Sequence, residues 1–398
     1  MLDFSYYNPV KLLYGKGKLD AVAEEILPYG KRVLFVFGQN HLKASGQYDR
    51  VKQLLEAAGI ESIDLGGVHS NPRLDLVQRG IQICKEQDID FILAVGGGSS
   101  CDTAKAISMG AKADYDIWQA YEDFHNLMHG NPLDNPHVPT EVVPMGVVMT
   151  KPATGSDFDY TSVLSNWDAH EKLMVINKVM YPKFSIHDPT LTYTLPREQI
   201  VYGVADIMTH YLEQYLTPDD YIDMLDRMKE VGLKTVIDSG VTVLKNPEDY
   251  NAQSNLLYCA ALACSDISMQ GTLGGWEAHM IEHELSAITD VNHGLGMAIV
   301  YIGWMKYVID ANPRKFAEFA EWVWGIERRR SDLEIGMAGI EKTAEFWRSL
   351  GIPLTLREAG LDPAIIPQVA KQAVRFGPLG RLKTLYEEDV IKILESVS

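Results

Sequence analysis

Apolar residues follow two different patterns along the chain. In the first half, short apolar runs alternate with helical patterns; the runs are KRVLFVFG at residues 31–38, DFILAVG at 90–96 and VVPMGVVMT at 142–150. A helical pattern that closes on a glycine occupies residues 51–59. Buried strands that alternate with helices predict βαβ units and a parallel sheet covered on both faces.

The second half is patterned differently. After two proline turns between residues 188 and 196, strand patterns nearly vanish, and helical periodicity continues to the C-terminus with prolines at helix boundaries. We therefore expect an α/β domain with a Rossmann-like parallel sheet at residues 1–190 and an all-helical domain at residues 191–398.

The polar segment 121–139 interrupts the first half. It carries His125, His129 and His137 among Asn, Pro and Gly residues. This composition is typical of a surface loop, so we expect these histidines to be solvated and to have no functional role.

Composition narrows the class of protein. The 398 residues are 46% hydrophobic and 23% charged, as in soluble globular proteins with room for two cores. The formal net charge of −18 argues against nucleic acid and membrane as partners, because their phosphates would be repelled. We expect no signal peptide and no membrane span. The four cysteines form no C-x-x-C pair and indicate reduced thiols in a cytoplasmic protein.

The sequence AVGGGSSCDTAKAI at residues 94–107 runs from a buried strand through three glycines into a helix. Glycines let the backbone approach a ligand, and the N–H groups at a helix start bind anionic oxygens. The alternative is a tight turn with a helix cap, for which Ser99 and Asp102 are suitable residues. Because such a turn needs one glycine rather than three, we favour a phosphate site, although the spacing is neither G-x-G-x-x-G nor a P-loop.

Histidines and a carboxylate recur at helical spacing in the second half. Asp206 and His210 lie four residues apart, as do His279 and His283, and His293 follows. A spacing of four puts both side chains on one helix face, as a helical metal site requires. Two such pairs and a further histidine predict a metal centre.

Residues 279–283 also spell H-x-x-E-H, the inverted zinc-protease signature. A zinc metallopeptidase would use His279 and His283 as ligands and Glu282 as base. That alternative leaves the triple glycine and the Asp206/His210 pair without a role.

At these residues the chain resembles the iron-containing (group III) alcohol dehydrogenases, in particular their butanol dehydrogenase and broad-range aldehyde reductase branch. The resemblance covers nearly the whole chain and lies in NPVKLLYGKGKL, AVGGGSSCDTAKAI, PATGSD, DPTLTYTLP, GVADIMTHYLEQY and WEAHMIEHELSAITDVNHGLGMAI. It implies the dehydroquinate synthase-like fold, with a dinucleotide-binding domain before a metal-binding helical domain. The implied activity is reversible hydride transfer between NAD(P)H and short-chain primary aldehydes or alcohols.

The resemblance also implies a ligand set. The family's aspartate and three histidines fall on Asp206, His210, His279 and His293, and these donors suit Fe²⁺, Zn²⁺, Ni²⁺ or Mn²⁺. The family's additional histidine falls on His283, which faces substrate and nicotinamide and is our candidate for proton relay. On this interpretation Glu282 points away from the site and is structural.

The family's cofactor contacts fall on residues of the first half. They are Gly97, Gly98 and Ser99 at the pyrophosphate, Asp102 supporting the turn, Thr150 and Thr154 on the nicotinamide side, and Lys172 at the nicotinamide ribose. For Lys172 a solvated lysine at a strand edge is the alternative.

The chain departs from the family pattern at two places. Asp157 follows PATGS where the family usually has glutamate, and the first strand ends in GQNH at residues 38–41 rather than in Gly-Gly-Ser. An aspartate at the position of Gly38 would repel a 2′-phosphate; glycine does not, and Asn40, His41 or Lys43 can donate to one. We therefore favour NADP(H) over NAD(H).

The sequence also bears on the oligomeric state, the substrate pocket and the alternative functions. Relatives pair through the N-terminal strand, so the resemblance implies a homodimer. Trp118, Trp276, Leu273 and Met280 suggest an apolar substrate pocket, with a plain core role as the alternative. The rival functions are a same-fold glycerol dehydrogenase or dehydroquinate synthase, which differ in ligand set, the zinc peptidase, and a nucleotide-binding metal-storage or regulatory protein.

Overall fold

The computed structural model describes residues 2–218 and 223–398. The chain forms two compact units. The sheet unit comprises Asn8–Leu195 and Asn246–Ala261, and the helical unit comprises Met1–Tyr7, Pro196–Lys245 and Leu262–Ser398.

The sheet unit contains a six-stranded parallel sheet and a two-stranded antiparallel ribbon. The strands, in chain order, are β1 (Lys11–Tyr14), β2 (Arg32–Gly38), β3 (Glu61–Val68), β4 (Phe91–Gly96), β5 (Met145–Met149), β6 (Thr161–Asn166), β7 (Glu171–Ile176) and β8 (Phe184–His187). Their order in the parallel sheet is β1-β8-β5-β4-β2-β3, and β6 pairs with β7.

The central strands are apolar on both faces because both faces are covered. The five residues of β5 are all buried, as are the five of β4 that precede its final glycine. Gly146 of β5 leaves room for the Phe184 ring, which stacks on Phe91 at a centroid distance of 5.8 Å. Parallel strands end at the same edge of a sheet, so the turns after β2, β4 and β5 all lie there.

Helices account for most of the remaining described chain. They are α1 (Val22–Ile26), α2 (His41–Ala44), α3 (Gln47–Ala57), α4 (Leu74–Glu86), α5 (Gly98–Gly110), α6 (Ile117–Met128), α7 (Arg197–Tyr215), α8 (Asp223–Lys245), α9 (Tyr250–Ala263), α10 (Glu277–Thr289), α11 (His293–Val308), α12 (Pro313–Trp324), α13 (Asp332–Ser349), α14 (Ile366–Ala373) and α15 (Glu387–Glu395). Within the described residues, no strand follows Arg197. The predicted fold class, a parallel α/β sheet followed by helices, is confirmed.

Segment 121–139 differs from the expectation of a surface loop. Its first part belongs to α6, whose apolar face packs against β7. His125 lies on that buried face, and its Nε2 accepts a hydrogen bond from the backbone N–H of Met174 at 3.1 Å. The prediction that His125 is solvated is therefore wrong. His137 contacts the Asp123 carboxylate at 2.8 Å.

All four cysteines are free thiols, three of them buried. Among the described residues, no helix combines the length and the hydropathy that a bilayer span requires.

Candidate functional site

Three helices of the helical unit carry the predicted metal-ligating side chains. Asp206 and His210 lie on α7, His279 lies in the first turn of α10, and His293 is the first residue of α11. The side chain of Asn292 caps α11 by accepting from the N–H of Gly294 at 3.2 Å, which fixes where that helix and its histidine begin.

Three of these side chains meet. One donor atom from each of Asp206, His279 and His293 lies within 4.8 Å of the other two. His293 Nε2 is 3.5 Å from Asp206 Oδ1. His210 is not in this three-residue group, but its ring centroid lies 4.7 Å from that of His279.

The Nδ1 atom of each of the three histidines contacts an oxygen. His210 Nδ1 donates to the backbone carbonyl of Asp206 at 2.7 Å, and His279 Nδ1 donates to Glu213 Oε1 at 2.9 Å. His293 Nδ1 donates to Glu282 Oε2. A proton fixed on Nδ1 leaves the lone pair on Nε2, which is the arrangement that second-shell oxygens impose on metal-binding histidines.

Asp206 Oδ1 is buried and accepts no hydrogen bond from any described residue. A buried carboxylate oxygen without a donor is costly unless a cation neutralises it. One carboxylate oxygen and three imidazole nitrogens are a common donor set for divalent transition metals. The residues present therefore fit a divalent metal ion.

Glu213 on α7 organises the start of α10. Its fully buried carboxylate accepts from the backbone N–H of Trp276 at 2.8 Å and of His279 at 3.2 Å, besides His279 Nδ1. Burial and the nearby charge of Glu277 raise the pKa of Glu213 well above its ordinary value, while the backbone donors oppose the rise. Trp276 has a φ of 67°, an uncommon conformation for a bulky residue, and the hydrogen bond from its N–H to Glu213 holds it there.

The H-x-x-E-H motif, residues 279–283, lies in the first half of α10. His283 is buried, with its ring centroid 5.8 Å from that of His293, and Glu282, His283 and His293 form a second close group. Because Glu282 accepts from His293 Nδ1, the expectation that Glu282 points away from the site is wrong.

The triple glycine connects β4 to α5 as the sequence suggests. Gly97 precedes the helix without a side-chain cap, so no side chain occupies the acceptor position at this helix start. A Cβ on Gly98 would lie 2.1 Å from Thr154 Oγ1, so only glycine allows this approach. Ser99 and Asp102 do not cap α5: Ser99 Oγ donates to the Ser70 carbonyl at 2.6 Å, and Asp102 faces Ser156.

The loop between β5 and β6 is attached to α5 by buried charges. Ser156 Oγ donates to Asp102 Oδ1 at 2.5 Å, and Lys105 Nζ donates to the Ser156 carbonyl at 2.6 Å and to Asp159 Oδ1 at 2.5 Å. Burial raises the pKa of Asp102 to about 7, although Lys105 and Ser156 oppose the shift. Burial disfavours the charge of Lys105, but the attractions to Asp159, Cys101 and Asp102 and the hydrogen bond to Asp159 together outweigh burial and raise its pKa. Thr150, at the start of the loop, is buried and donates its N–H to the Gly96 carbonyl at 2.8 Å.

Lys172 on β7 is buried, and its Nζ donates to Asn71 Oδ1 at 3.1 Å. The alternative of a solvated lysine at a strand edge is therefore wrong. A buried lysine is unusual unless its ammonium group has partners.

The end of β2 is open around its last residue. A Cβ on Gly38 would meet no atom within 4 Å, and its φ is not in the left-handed region. Asn40 precedes α2, and His41 begins it, with its Nε2 3.3 Å from Thr194 Oγ1.

The four apolar candidates occupy different environments. The Trp276 ring lies 6.0 Å from the His210 ring and 5.2 Å from the His279 ring, between centroids. Met280 is half-buried and Leu273 is exposed. Trp118 is buried in the sheet unit and stacks on Tyr121, so it is a core residue.

Comparison with known proteins identifies the family. Residues 9–189 match the family described as iron-containing alcohol dehydrogenase, and residues 200–398 match the C-terminal region of the Fe-containing alcohol dehydrogenase family. The chain is 38% identical to the probable NADH-dependent butanol dehydrogenase 1 of Bacillus subtilis, with 100% of each chain covered. The chain belongs to the iron-containing alcohol dehydrogenase family.

Other relatives agree with this membership and confirm the resemblance seen in the motifs. The NADPH-dependent aldehyde reductase of Escherichia coli is 33% identical, covering 95% of this chain and 94% of that protein. The crystal structure of NADH-dependent butanol dehydrogenase A from Thermotoga maritima has a TM-score of 0.93 at 34% identity, covering 100% of this chain and 99% of that one.

The role of Glu213 in this iron-containing alcohol dehydrogenase was not predicted from the sequence. A signal was present, because Glu213 lies seven residues after Asp206, which is two helical turns along the same face of α7. Nothing in the sequence showed that α10 begins beside that face, since this depends on tertiary packing.

The raised pKa of Asp102 predicts a pH-dependent stability difference between the protein and its Asp102→Asn variant. Between about pH 4 and pH 7 the folded protein retains a proton that the unfolded chain has lost, so this group makes the folded state less stable as pH rises. We expect the variant to gain relative stability across this window, by up to about 1.4 kcal/mol per pH unit. Denaturation midpoints at several pH values measure this, with Asp88→Asn, an exposed site, as control. A difference that does not change with pH would contradict the assignment.

Proposed function

We propose that this protein is a metal-dependent, NAD(P)H-linked alcohol dehydrogenase or aldehyde reductase that acts reversibly on short-chain primary alcohols and aldehydes. The observation that best supports this proposal is the close approach of Asp206, His279 and His293, which lie on three helices of one unit. The names of the relatives, butanol dehydrogenase and aldehyde reductase, support the proposal. With it we propose that residues 1–190 bind the dinucleotide and residues 191–398 the metal.

Asp206, His210, His279 and His293 are the proposed metal ligands. A divalent ion held by these residues would supply a Lewis acid for the substrate carbonyl. Fe²⁺, Zn²⁺, Ni²⁺ and Mn²⁺ all suit the donor set. The family supports a divalent metal in general, and the choice among these ions is left to measurement.

His283 is the proposed proton carrier. It is buried and lies beside His293, and an imidazole ordinarily titrates near neutral pH, as a group that gives and takes a proton during turnover should. Trp276, against the rings of His210 and His279, gives this face of the site an apolar wall suited to an alkyl chain.

The dinucleotide is proposed to bind at the turn after β4. The uncapped start of α5 offers backbone N–H groups at Gly97, Gly98 and Ser99 to the pyrophosphate. The remaining proposed contacts are Asp102, which holds the neighbouring loop, Thr150 and Thr154 in that loop, and Lys172. These residues would hold and orient the dinucleotide, whose nicotinamide would supply the hydride.

We propose NADP(H) as the preferred cofactor, with NAD(H) as the alternative. Gly38 places no carboxylate at the end of β2, and Asn40, His41 and Lys43 follow as possible donors to a 2′-phosphate. Relatives of both kinds exist, an NADH-dependent butanol dehydrogenase and an NADPH-dependent aldehyde reductase.

The rival functions have less support. The zinc peptidase alternative assigns His283 to the metal and leaves the contact between Glu282 and His293 unexplained. The relatives favour alcohol or aldehyde chemistry over it and over glycerol dehydrogenase. A homodimer is also proposed, because β1 is an edge strand of the sheet and the preceding segment exposes Leu2, Phe4, Tyr6 and Tyr7.

Aldehyde-dependent oxidation of NADPH and NADH tests the proposed function. With butyraldehyde as substrate, the absorbance of the reduced nicotinamide should fall only while metal is bound. Activity should disappear after treatment with a chelator and return when Fe²⁺ or Zn²⁺ is added back. Turnover that survives complete metal removal, or cofactor binding without any turnover, would refute the proposal.

His283→Ala separates a proton carrier from a metal ligand. We expect the variant to keep its metal and to lose about 10²–10⁴-fold in kcat, the usual contribution of a positioned acid or base. Elemental analysis gives the metal content, and His137→Ala, at a histidine of the sheet unit, is the control. If metal is lost together with activity, His283 is a ligand instead.

Gly38→Asp tests the cofactor preference. The open space around Gly38 accepts the side chain, and the new carboxylate should repel a 2′-phosphate. The ratio of kcat/KM for NADPH to that for NADH should fall about tenfold or more, because a like-charge contact costs on the order of 1 kcal/mol or more. Gly38→Ala serves as the matched control. An unchanged ratio would show that the 2′-phosphate is bound away from residue 38.

A further inference from the structure

A buried imidazole–carboxylate pair in the sheet unit has no role in the function described above. His187 Nε2 and Asp157 Oδ2 lie 2.6 Å apart, and both side chains are 1% exposed. Ser185 Oγ donates to the same carboxylate oxygen at 2.5 Å. Burying a carboxylate and an imidazole is costly unless they satisfy each other, so the position of each side chain constrains the other.

The contacts around the Asp157 carboxylate favour its ionised form. Burial alone would raise its pKa, but attraction to His187 and the hydrogen bonds from His187 and Ser185 outweigh burial and lower it. The carboxylate therefore accepts from both neighbours, and His187 donates from Nε2.

The pair joins a loop to a strand. Asp157 lies in the loop between β5 and β6, directly after Ser156, which α5 holds through Asp102 and Lys105. His187 is the last residue of β8, and its register partner on β5 is Met149, the residue before this loop. The loop is thus held on one side by α5 and on the other by β8.

The same loop touches the glycine turn. Thr154 Oγ1 occupies the space next to Gly98, where a Cβ would lie 2.1 Å away. A small shift of the loop changes the space above the start of α5, where the pyrophosphate is proposed to bind. Groups that fix the loop therefore fix the shape of the dinucleotide site.

We infer that Asp157 and His187 are positioning residues for the dinucleotide, holding the loop of residues 150–158 against the start of α5. The inference rests on the proposed function. It also gives a reason for Asp157, where the family usually has glutamate: the shorter carboxylate has an imidazole as its partner on β8.

Cofactor affinity tests the inference. We expect His187→Ala to raise the Kd of the preferred cofactor about 5- to 150-fold, the usual range for coupling between linked sites. The KM of the cofactor should rise in parallel, while kcat at saturating cofactor stays close to wild type. His187→Gln should have a smaller effect, because its amide can still donate to Asp157. Asp157→Asn combined with His187→Ala should cost less than the product of the two single effects, since both remove one interaction.

A buried ion pair elsewhere in the chain provides the control. Lys315 donates to Asp226 in the helical unit, and both side chains are buried. Lys315→Met should lower the denaturation midpoint without changing the Kd of the cofactor. Nicotinamide fluorescence titrations at a temperature where all variants are folded give the Kd values. If His187→Ala does not fold, His187→Gln and Asp157→Asn carry the same expectation of weakened binding.

The possible failures are distinguishable. Wild-type protein that binds neither NADPH nor NADH would refute the proposed function together with the inference. Wild-type protein that binds cofactor, with His187 and Asp157 variants that bind it equally well and lose only thermal stability, would overturn the inference alone.

Discussion

Two hydrogen bonds between buried carboxylates and imidazoles determine the geometry of the helical unit's site. Glu213 accepts from His279 Nδ1, and Glu282 accepts from His293 Nδ1, so that each carboxylate joins two helices as well as setting a histidine tautomer. A hydrogen bond within α7, from His210 Nδ1 to the Asp206 carbonyl, sets the tautomer of His210. With Nδ1 engaged in all three rings, Nε2 is the nitrogen that can coordinate, and Asp206 contributes an oxygen that no described donor satisfies. The proposed chemistry depends on these contacts, because a misoriented imidazole cannot share an ion with the others.

The sheet unit obeys the same constraint with different partners. Its buried ionisable groups gather around the loop between β5 and β6, where Asp102, Lys105 and Asp159 form one set and Asp157 with His187 another. Buried ionisable groups require hydrogen-bonding partners at fixed positions. In both units, therefore, buried polar contacts fix the positions of the residues proposed to act in catalysis or cofactor binding.

Much of the fold was readable from the sequence because it depends on local patterns. Short apolar runs predicted β2, β4 and β5 to within a few residues, and the first two of these runs end in glycine. The four-residue spacing on α7 is purely helical geometry. The predictions that were wrong, and the residues that were not predicted, depend on packing between distant segments. His125 is buried against β7, and Lys172 donates to Asn71. Glu213 and Glu282 accept hydrogen bonds from histidines on other helices. Residue spacing in the sequence does not predict contacts between segments that are far apart along the chain. The ligand set itself stays a prediction from resemblance, now with a geometry in which three of its four members lie close together.

Anomalous diffraction from crystals of the metal-loaded protein, recorded at the absorption edge of the bound ion, tests the central claim most directly. The account predicts one peak per chain, at about 2.0–2.2 Å from Asp206 and from Nε2 of His210, His279 and His293. Glu213 and Glu282 should stay hydrogen-bonded to Nδ1 of His279 and His293 and should not contact the ion. A peak coordinated by His279 and His283 without Asp206, or one held by residues outside α7, α10 and α11, would contradict it.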